Sequence, residues 1–205
     1  MLPLLQIQLL GGWRVICGDE PLAGLDSARP QALLAYLTLH RNAALTRQQL
    51  AFLFWPETTD AQAQTNLRQL LHTLRRRLRH ADGYLELNAK TLCWRAQAPV
   101  VSDVGRFEAA VVQAQAAIGG DQLERLAEAA GFYTGYLLPQ CYDDWILPIR
   151  ERLAQQYVQT LAQLAHLHED RREDVGQDVA HHHVDAGILQ ADGVEHAALG
   201  LGHAV

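Results

Sequence analysis

The segment Phe52–Arg79, FLFWPETTDAQAQTNLRQLLHTLRRRLR, limits the folds open to this chain more than any other. Pro56 has no backbone N–H and restricts the residue before it, so a first helix must stop at Trp55. A long helix then starts near Asp60 and turns sharply basic toward its end. At 100° per residue, Leu67, Leu71, Leu74 and Leu78 fall in one stripe. Thr65, Gln69, His72, Arg76 and Arg79 form a second stripe on the opposite side. The first stripe suits a core. The second offers base-edge donors and acceptors together with guanidiniums, which is what a helix entering a DNA groove requires. A face that merely meets water mixes Glu with Lys and Arg for i,i+4 pairing, yet no acidic residue lies between Asp60 and Asp82.

The distribution of charge agrees. The net charge over 205 residues is −6. Residues 1–95 nevertheless hold eleven Arg or Lys against seven Asp or Glu, whereas residues 96–205 hold six against sixteen. A basic first half beside an acidic second half points to a nucleic-acid-binding domain joined to one that does not touch nucleic acid. Cys17, Cys93 and Cys141 are too few and too scattered for a disulfide framework or a zinc pattern, and read as free thiols in a reducing cytoplasm. The start MLPLLQIQLL lacks the basic region of a signal peptide, and no apolar run has membrane-spanning length. A cytoplasmic protein without a membrane partner is expected.

Along the chain, Leu5, Ile7 and Leu9 alternate before Gly11-Gly12, and Trp13–Cys17 precede a Gly18-Asp19 turn, so a small antiparallel sheet is predicted. Ser27–Arg41 reads as a helix with Leu33, Leu34 and Leu37 toward a core. Thr46-Arg47-Gln48-Gln49 and Thr59-Asp60-Ala61-Gln62 each fit a capping box that opens a helix. Two strands, Tyr84–Leu87 and Thr91–Trp94, follow around an Asn88-Ala89-Lys90 turn. Sheet, three helices and hairpin in that order make a winged helix of the OmpR type, with the helix over 60–80 in the major groove and the hairpin 84–95 as wing. Thr65, Gln69, His72 and Arg76 are then the candidates for base edges. Arg68, Thr73, Arg75 and Arg79 reach phosphates or bases according to docking angle. Lys90 at the wing tip and Arg95 follow the adjacent backbone or minor groove. Trp55 and Trp94 are expected to pack the core of this domain.

From Pro99 the chain becomes Ala-rich. Asp103 is expected to cap a helix carrying Phe107, Ala110, Val111, Ala114 and Ile118, which ends at Gly119-Gly120. A second helix is expected over about Asp121–Ala130. Asp143 and Asp144 suit the N-terminus of a last helix, whose apolar stripe is Trp145, Ile149, Leu153, Tyr157, Leu161 and Leu164.

The quoted residues resemble a known family. LLGGWRV, RPQALLAYL, LTRQQLAFLFWP and NLRQLLHTLRRRL together resemble the DNA-binding domain of bacterial transcriptional activators of the antibiotic-regulatory type. Tyr136-Leu137-Leu138-Pro139, Tyr142-Asp143-Asp144-Trp145 and Arg150-Glu151-Arg152-Leu153 resemble the opening of the bacterial transcriptional activator domain that follows it. The expected fold is mainly α with small β elements, an OmpR-type winged helix-turn-helix followed by a tetratricopeptide-like α-helical domain. The expected division is 1–97, 98–172 and an atypical tail over 173–205. The resemblance implies a sequence-specific transcriptional regulator, an activator, that binds double-stranded DNA with several copies side by side on one duplex. Its helical half is expected to meet RNA polymerase, another copy or a downstream domain.

Beyond about Arg172 the resemblance stops. Seven of the ten His lie after Ala165, and no aromatic residue follows Tyr157. Of residues 161–205, only Ile188 needs a codon beginning with A or T, whereas twelve of residues 116–160 do. This is the mixture expected if a GC-rich gene is read in a shifted frame, and residues from about 173 are expected to be poorly ordered, or only weakly helical without a packed partner. His181-His182-His183 with Asp185 is not read as a metal site, because adjacent helical residues do not face one ion. No phosphate-binding, dinucleotide or nucleophile-elbow motif is present. No catalysis, cofactor or metal is therefore expected. Two other roles remain open at this point: the N-terminal piece of a large ATP-dependent regulator, and a protein–protein adaptor that has lost DNA binding.

Overall fold

Period-2 alternation at the start of the chain builds the first sheet. The structure, a computed structural model, describes the backbone of residues 1–198 and the side chains of residues 1–172. Strands β1 (Leu5–Gln8), β2 (Arg14–Cys17) and β3 (Glu20–Pro21) are antiparallel neighbours, and β7 (Val100–Ser102) lies parallel to β1, giving the order β3-β2-β1-β7. Leu5, Ile7 and Val15 are buried on one face, so Gln6, Gln8, Arg14 and Ile16 point to the other. Sequence reading missed β7. A three-residue strand carries no periodic signal of its own and exists only because β1 offers it an edge. Residues 98–102, expected with the helical part, thus run into the N-terminal sheet.

Helices α1 (Ala28–Leu39), α2 (Arg47–Phe54) and α3 (Asp60–Arg77) follow, with the short strand β4 (Leu45–Thr46) between the first two. The capping box at Thr46 is complete: its hydroxyl accepts from the Gln49 N–H at 3.1 Å and the Gln49 side chain accepts from the Thr46 N–H at 3.2 Å. The second box is half formed. Thr59 accepts from the Gln62 N–H, but the Gln62 amide donates to Asn66 at 2.9 Å instead of reaching back. Leu67, Leu71, Leu74 and Leu78 are all buried, in the core that also holds Leu33, Leu34, Leu37, Leu50 and Phe54. After α3, His80 adopts the left-handed conformation (φ 58°) and the chain makes a four-residue helix α4 (Ala81–Tyr84). Tyr84 therefore belongs to a helix rather than to the expected first wing strand. Its buried hydroxyl donates to the Pro3 carbonyl at 2.5 Å, and burial raises its pKa. The wing is β5 (Leu85–Leu87) and β6 (Thr91–Trp94), and β4 completes a sheet of order β4-β6-β5. Trp94 is buried as expected, and Trp55 is half-buried against Phe54.

Helices α5 (Asp103–Ala116) and α6 (Gly120–Phe132) form an antiparallel pair. Ser102, not Asp103, caps α5, its hydroxyl accepting from the Gly105 N–H at 3.0 Å. The Asp103 carboxylate turns to the end of β1 and accepts from the Leu9 N–H at 2.9 Å and the Leu10 N–H at 2.7 Å. Ile118 lies outside the helix and is exposed. The segment after α6 returns to the same place: the Leu138 N–H donates to Leu9 O and the Gly11 N–H to Tyr136 O. Here glycine is required. A Cβ on Gly135 (φ 153°) would meet the Gly11 backbone at 2.9 Å, and one on Gly11 (φ 71°) would meet Thr134 O at 2.9 Å. The LLGG and TGYLLP segments, far apart in sequence, are two halves of one joint.

A 3-10 turn (Asp144–Ile146) leads into α7 (Leu147–Ala198). Asp143 is not a helix cap by its side chain. It pairs with Arg29 at 3.1 Å and accepts from the Trp145 indole N–H at 3.2 Å. Trp145 packs edge-on against Tyr36 of α1 (5.1 Å between centroids) and Phe54 of α2 (6.2 Å). Arg150 donates to the carbonyls of Leu137, Leu138 and Cys141, Arg152 pairs with Glu108 of α5 at 2.7 Å, and Leu153 is fully buried. The buried stripe of α7 runs through Leu153 to Thr160, leaving Leu161, expected inside it, 39% exposed.

The chain divides into two compact units between Leu161 and Ala162. In the second unit α7 continues to Ala198, and His166 lies 3.3 Å from Asp170. The backbone is thus helical well past Arg172. The packing expectation for residues 173–205, and the reading of His181–His183, lie outside the described side chains.

Candidate nucleic-acid interface

Two grooves flank the outer face of α3. Leucines on its inner face fix the rotation of this helix, so the outer residues have no freedom to turn inward. Arg68, Gln69, His72, Arg75, Arg76 and Arg79 are exposed, and Thr65 and Thr73 are half-buried. Each threonine hydroxyl donates to its own helix, Thr65 to Ala61 O at 2.9 Å and Thr73 to Gln69 O at 3.1 Å. Their protons are spoken for, so toward a ligand they act as acceptors or through their methyl groups. At 100° per residue Thr73 stands about 140° from Arg68, on the flank away from the wing.

The expected basic stripe is less uniform than the sequence suggests. Arg75 pairs with Asp82 at 2.8 Å, and Arg79 with Glu20 at 2.6 Å. Both carboxylates come from other elements, which is why a scan of the helix alone finds no acid. All four side chains are more than half exposed, so each pair contributes at most about 1 kcal/mol and exchanges readily for a phosphate. Arg95 donates through Nε to the Asp82 carbonyl at 2.8 Å, at the corner after α3 rather than out along the wing. Arg68, Arg76 and Lys90 have no carboxylate within ion-pair distance among the described residues.

The first groove adds Arg47, Gln48 and Gln64, which sequence reading missed, to Arg68 and Lys90, which it named. Arg47 and Gln48 at the start of α2, Gln64 and Arg68 of α3, and Lys90 at the wing tip line one depression. The Arg47 N–H donates to Lys90 O at 2.8 Å, and β4 pairs with β6, so the start of α2 is stitched to the wing. Arg47 Nε is buried with no hydrogen-bond partner among the described residues. A buried guanidinium nitrogen left unpaired is costly unless an anion completes it. The only sequence signal for Arg47 was its place next to the capping threonine. The second groove lies between α3 and α4 and includes His72, Arg75, Arg76 and His80. Thr65, Arg68, Gln69, His72, Arg75, Arg76 and Arg79 thus share the outer side of one helix, Lys90 joins them across the first groove, and Thr73 and Arg95 stand apart.

No helix of the described residues is long and apolar enough to cross a membrane, and among them no group of three or more His, Cys, Asp or Glu gathers as a metal site would require. No family model and no curated protein matches the chain. Among solved structures, the chain is similar in fold to Mycobacterium tuberculosis EmbR, solved in complex with a low-affinity phosphopeptide, with a TM-score of 0.64 at 21% identity. The match covers 80% of this chain and 45% of EmbR, so this chain corresponds to less than half of that protein, and the likeness establishes a winged helix followed by a helical domain.

Proposed function

We propose that the chain is a sequence-specific transcriptional regulator of double-stranded DNA, of the antibiotic-regulatory type that its motifs resemble. The observation that carries this reading is the outer face of α3. Gln69, His72 and Arg76 stand exposed on a helix whose rotation the core fixes, beside a cluster of Arg47, Arg68 and Lys90 that no carboxylate among the described residues neutralises. In this reading α3 lies in the major groove. Thr65, Gln69, His72 and Arg76 meet base edges, and Arg47, Arg68 and Lys90 seat the adjacent phosphates. Arg75 and Arg79 leave Asp82 and Glu20 for the backbone when DNA arrives. The helical region carries the regulatory contacts, with a second copy on the same duplex and RNA polymerase as partners, in the cytoplasm. The likeness to EmbR supports the architecture of this arrangement.

The test is an electrophoretic shift against DNA from upstream of the chain's own gene, repeated across salt concentrations. Specific binding should weaken with log salt at a slope of about −0.9 per phosphate contacted, hence about −3 or steeper for the three-residue cluster. A shift that is absent, or indifferent to both sequence and salt, overturns the reading.

A further inference from the structure

We propose that the pocket between the outer face of the N-terminal sheet and the α5–α6 pair binds a small anionic amphiphile, a carboxylate with an apolar body. Leu5, Ile7 and Val15 turn to the core, so the opposite face of β1 and β2 is left to be covered by something else. Only part of it is. Between that face and the helical pair lies a cavity of about 260 Å³, just below the range of about 300–1,000 Å³ usual for small-molecule sites. Its lining is mixed: Ile7, Ile16, Val101 and Phe132 are apolar, all but Ile7 partly exposed, and Gln6, Gln8, Ser102 and Thr134 are polar.

The charge at its edge decides the class of ligand. Arg14 of β2 and Arg106 of α5 both line the cavity, and neither has an ion-pair partner among the described residues. The one carboxylate in the lining, Asp103, is committed elsewhere, since its oxygens accept from the N–H groups of Leu9, Leu10 and Val104. Two guanidiniums beside the apolar patch of Ile16, Val101 and Phe132 favour an anion with a short hydrophobic body, because a carboxylate takes paired hydrogen bonds from arginine in planar geometry. The volume excludes a folded partner or a duplex. A ligand here would tie the N-terminal sheet to α5 and α6, giving the protein a chemical input separate from α3.

The experiment measures melting temperature of the full chain with octanoate, 4-phenylbutyrate and indole-3-acetate, each against its neutral amide, with inorganic phosphate as a charge-only control. At least one acid should raise the melting temperature saturably, by about 5 °C near 100 times its Kd, while its amide and phosphate do not. The R14Q/R106Q double variant, altered at two exposed side chains, should bind that acid at least about ten-fold more weakly and shift the same DNA as wild type. Amide shifts of wild-type ¹⁵N-labelled protein should cluster at Gln6, Arg14, Val101 and Arg106, a readout that needs no variant. The proposal is overturned if none of the three acids binds, if acid and amide bind equally, or if the shifts lie away from this pocket.

Discussion

Single residues divide here into those exposed on the outer face of α3 and those that hold the joint. Arg76 is exposed and has no ion-pair partner among the described residues, so Arg76→Ala should cost about 1–3 kcal/mol at the preferred DNA site and little elsewhere, measured by titration against specific and scrambled duplexes. Equal loss on both duplexes would assign Arg76 to phosphate instead. Glu20 is the counter-case. It neutralises Arg79 in the free protein, so Glu20→Ala should strengthen DNA binding about two- to five-fold at low salt, and the gain should vanish at high salt. An unchanged affinity would show that Arg79 never leaves for the duplex. Asp103 behaves differently again. Burial raises its pKa, and the N–H bonds from Leu10, Leu9 and Val104 oppose that rise only in part. A raised folded pKa means the folded state holds the proton more tightly than the unfolded chain. The stability that Asp103 contributes is therefore full below its ordinary value of 3.8 and falls as pH rises through the raised value. The melting temperature of wild type relative to Asp103→Asn should accordingly increase as pH is lowered from 7 toward 4. The opposite trend would mean that the N–H bonds dominate over burial.

Elements were legible in the sequence where their own residues decide them. The stripe Leu67, Leu71, Leu74, Leu78 fixed α3 and its rotation, Thr46 and Gln49 marked the start of α2, and Pro56 its end. Elements that exist only through a partner were not legible. β4 and β7 have two and three residues, and each forms because β6 or β1 presents unpaired N–H and C=O groups beside it. The same holds for the candidate interface. The basic face of α3 could be read directly, whereas Arg47 entered only when β4 brought the start of α2 to the wing tip. Asp82 and Glu20 came from elements that no helical periodicity connects to α3. Asp103 shows a subtler failure, since its place at the head of α5 looks like a cap, but Ser102 takes that role and frees the carboxylate for β1. The cap on α2 is a clean test of this layer. Thr46→Ala removes one acceptor and should lower stability by about 1 kcal/mol in denaturant titration, leaving base preference unchanged. Altered preference at full stability would place Thr46 at the duplex and shift the helix-turn-helix register.

At the scale of the whole first unit, the question is what makes the winged helix and the following helices one body rather than two. Three attachments lie outside α3: Asp103 on the end of β1, the close Gly11–Gly135 contact, and Trp145 against α1 and α2. The first two are polar or steric and local. Trp145 is different because a large aromatic side chain, 9% exposed, meets Tyr36 and Phe54 together, while its indole N–H donates to Asp143, which in turn pairs with Arg29 of α1. Tyr36 and Phe54 also pack on one another (6.0 Å between centroids), so the indole completes a cluster that α1 and α2 have already begun. Removing such a side chain forfeits its buried area and leaves a cavity, at a cost of about 3–5 kcal/mol. Trp145→Ala should therefore lower the melting temperature markedly, while Trp145→Phe recovers part of the loss through ring contacts but not the Asp143 hydrogen bond. Amide exchange should accelerate first in 136–150, where the chain depends on this anchor, and last in α3, whose leucines belong to the winged-helix core. If Trp145→Ala costs less than about 1 kcal/mol, or if α3 loses protection as early as 136–150, the indole is a surface cover and the two regions are joined through the β1 attachments alone.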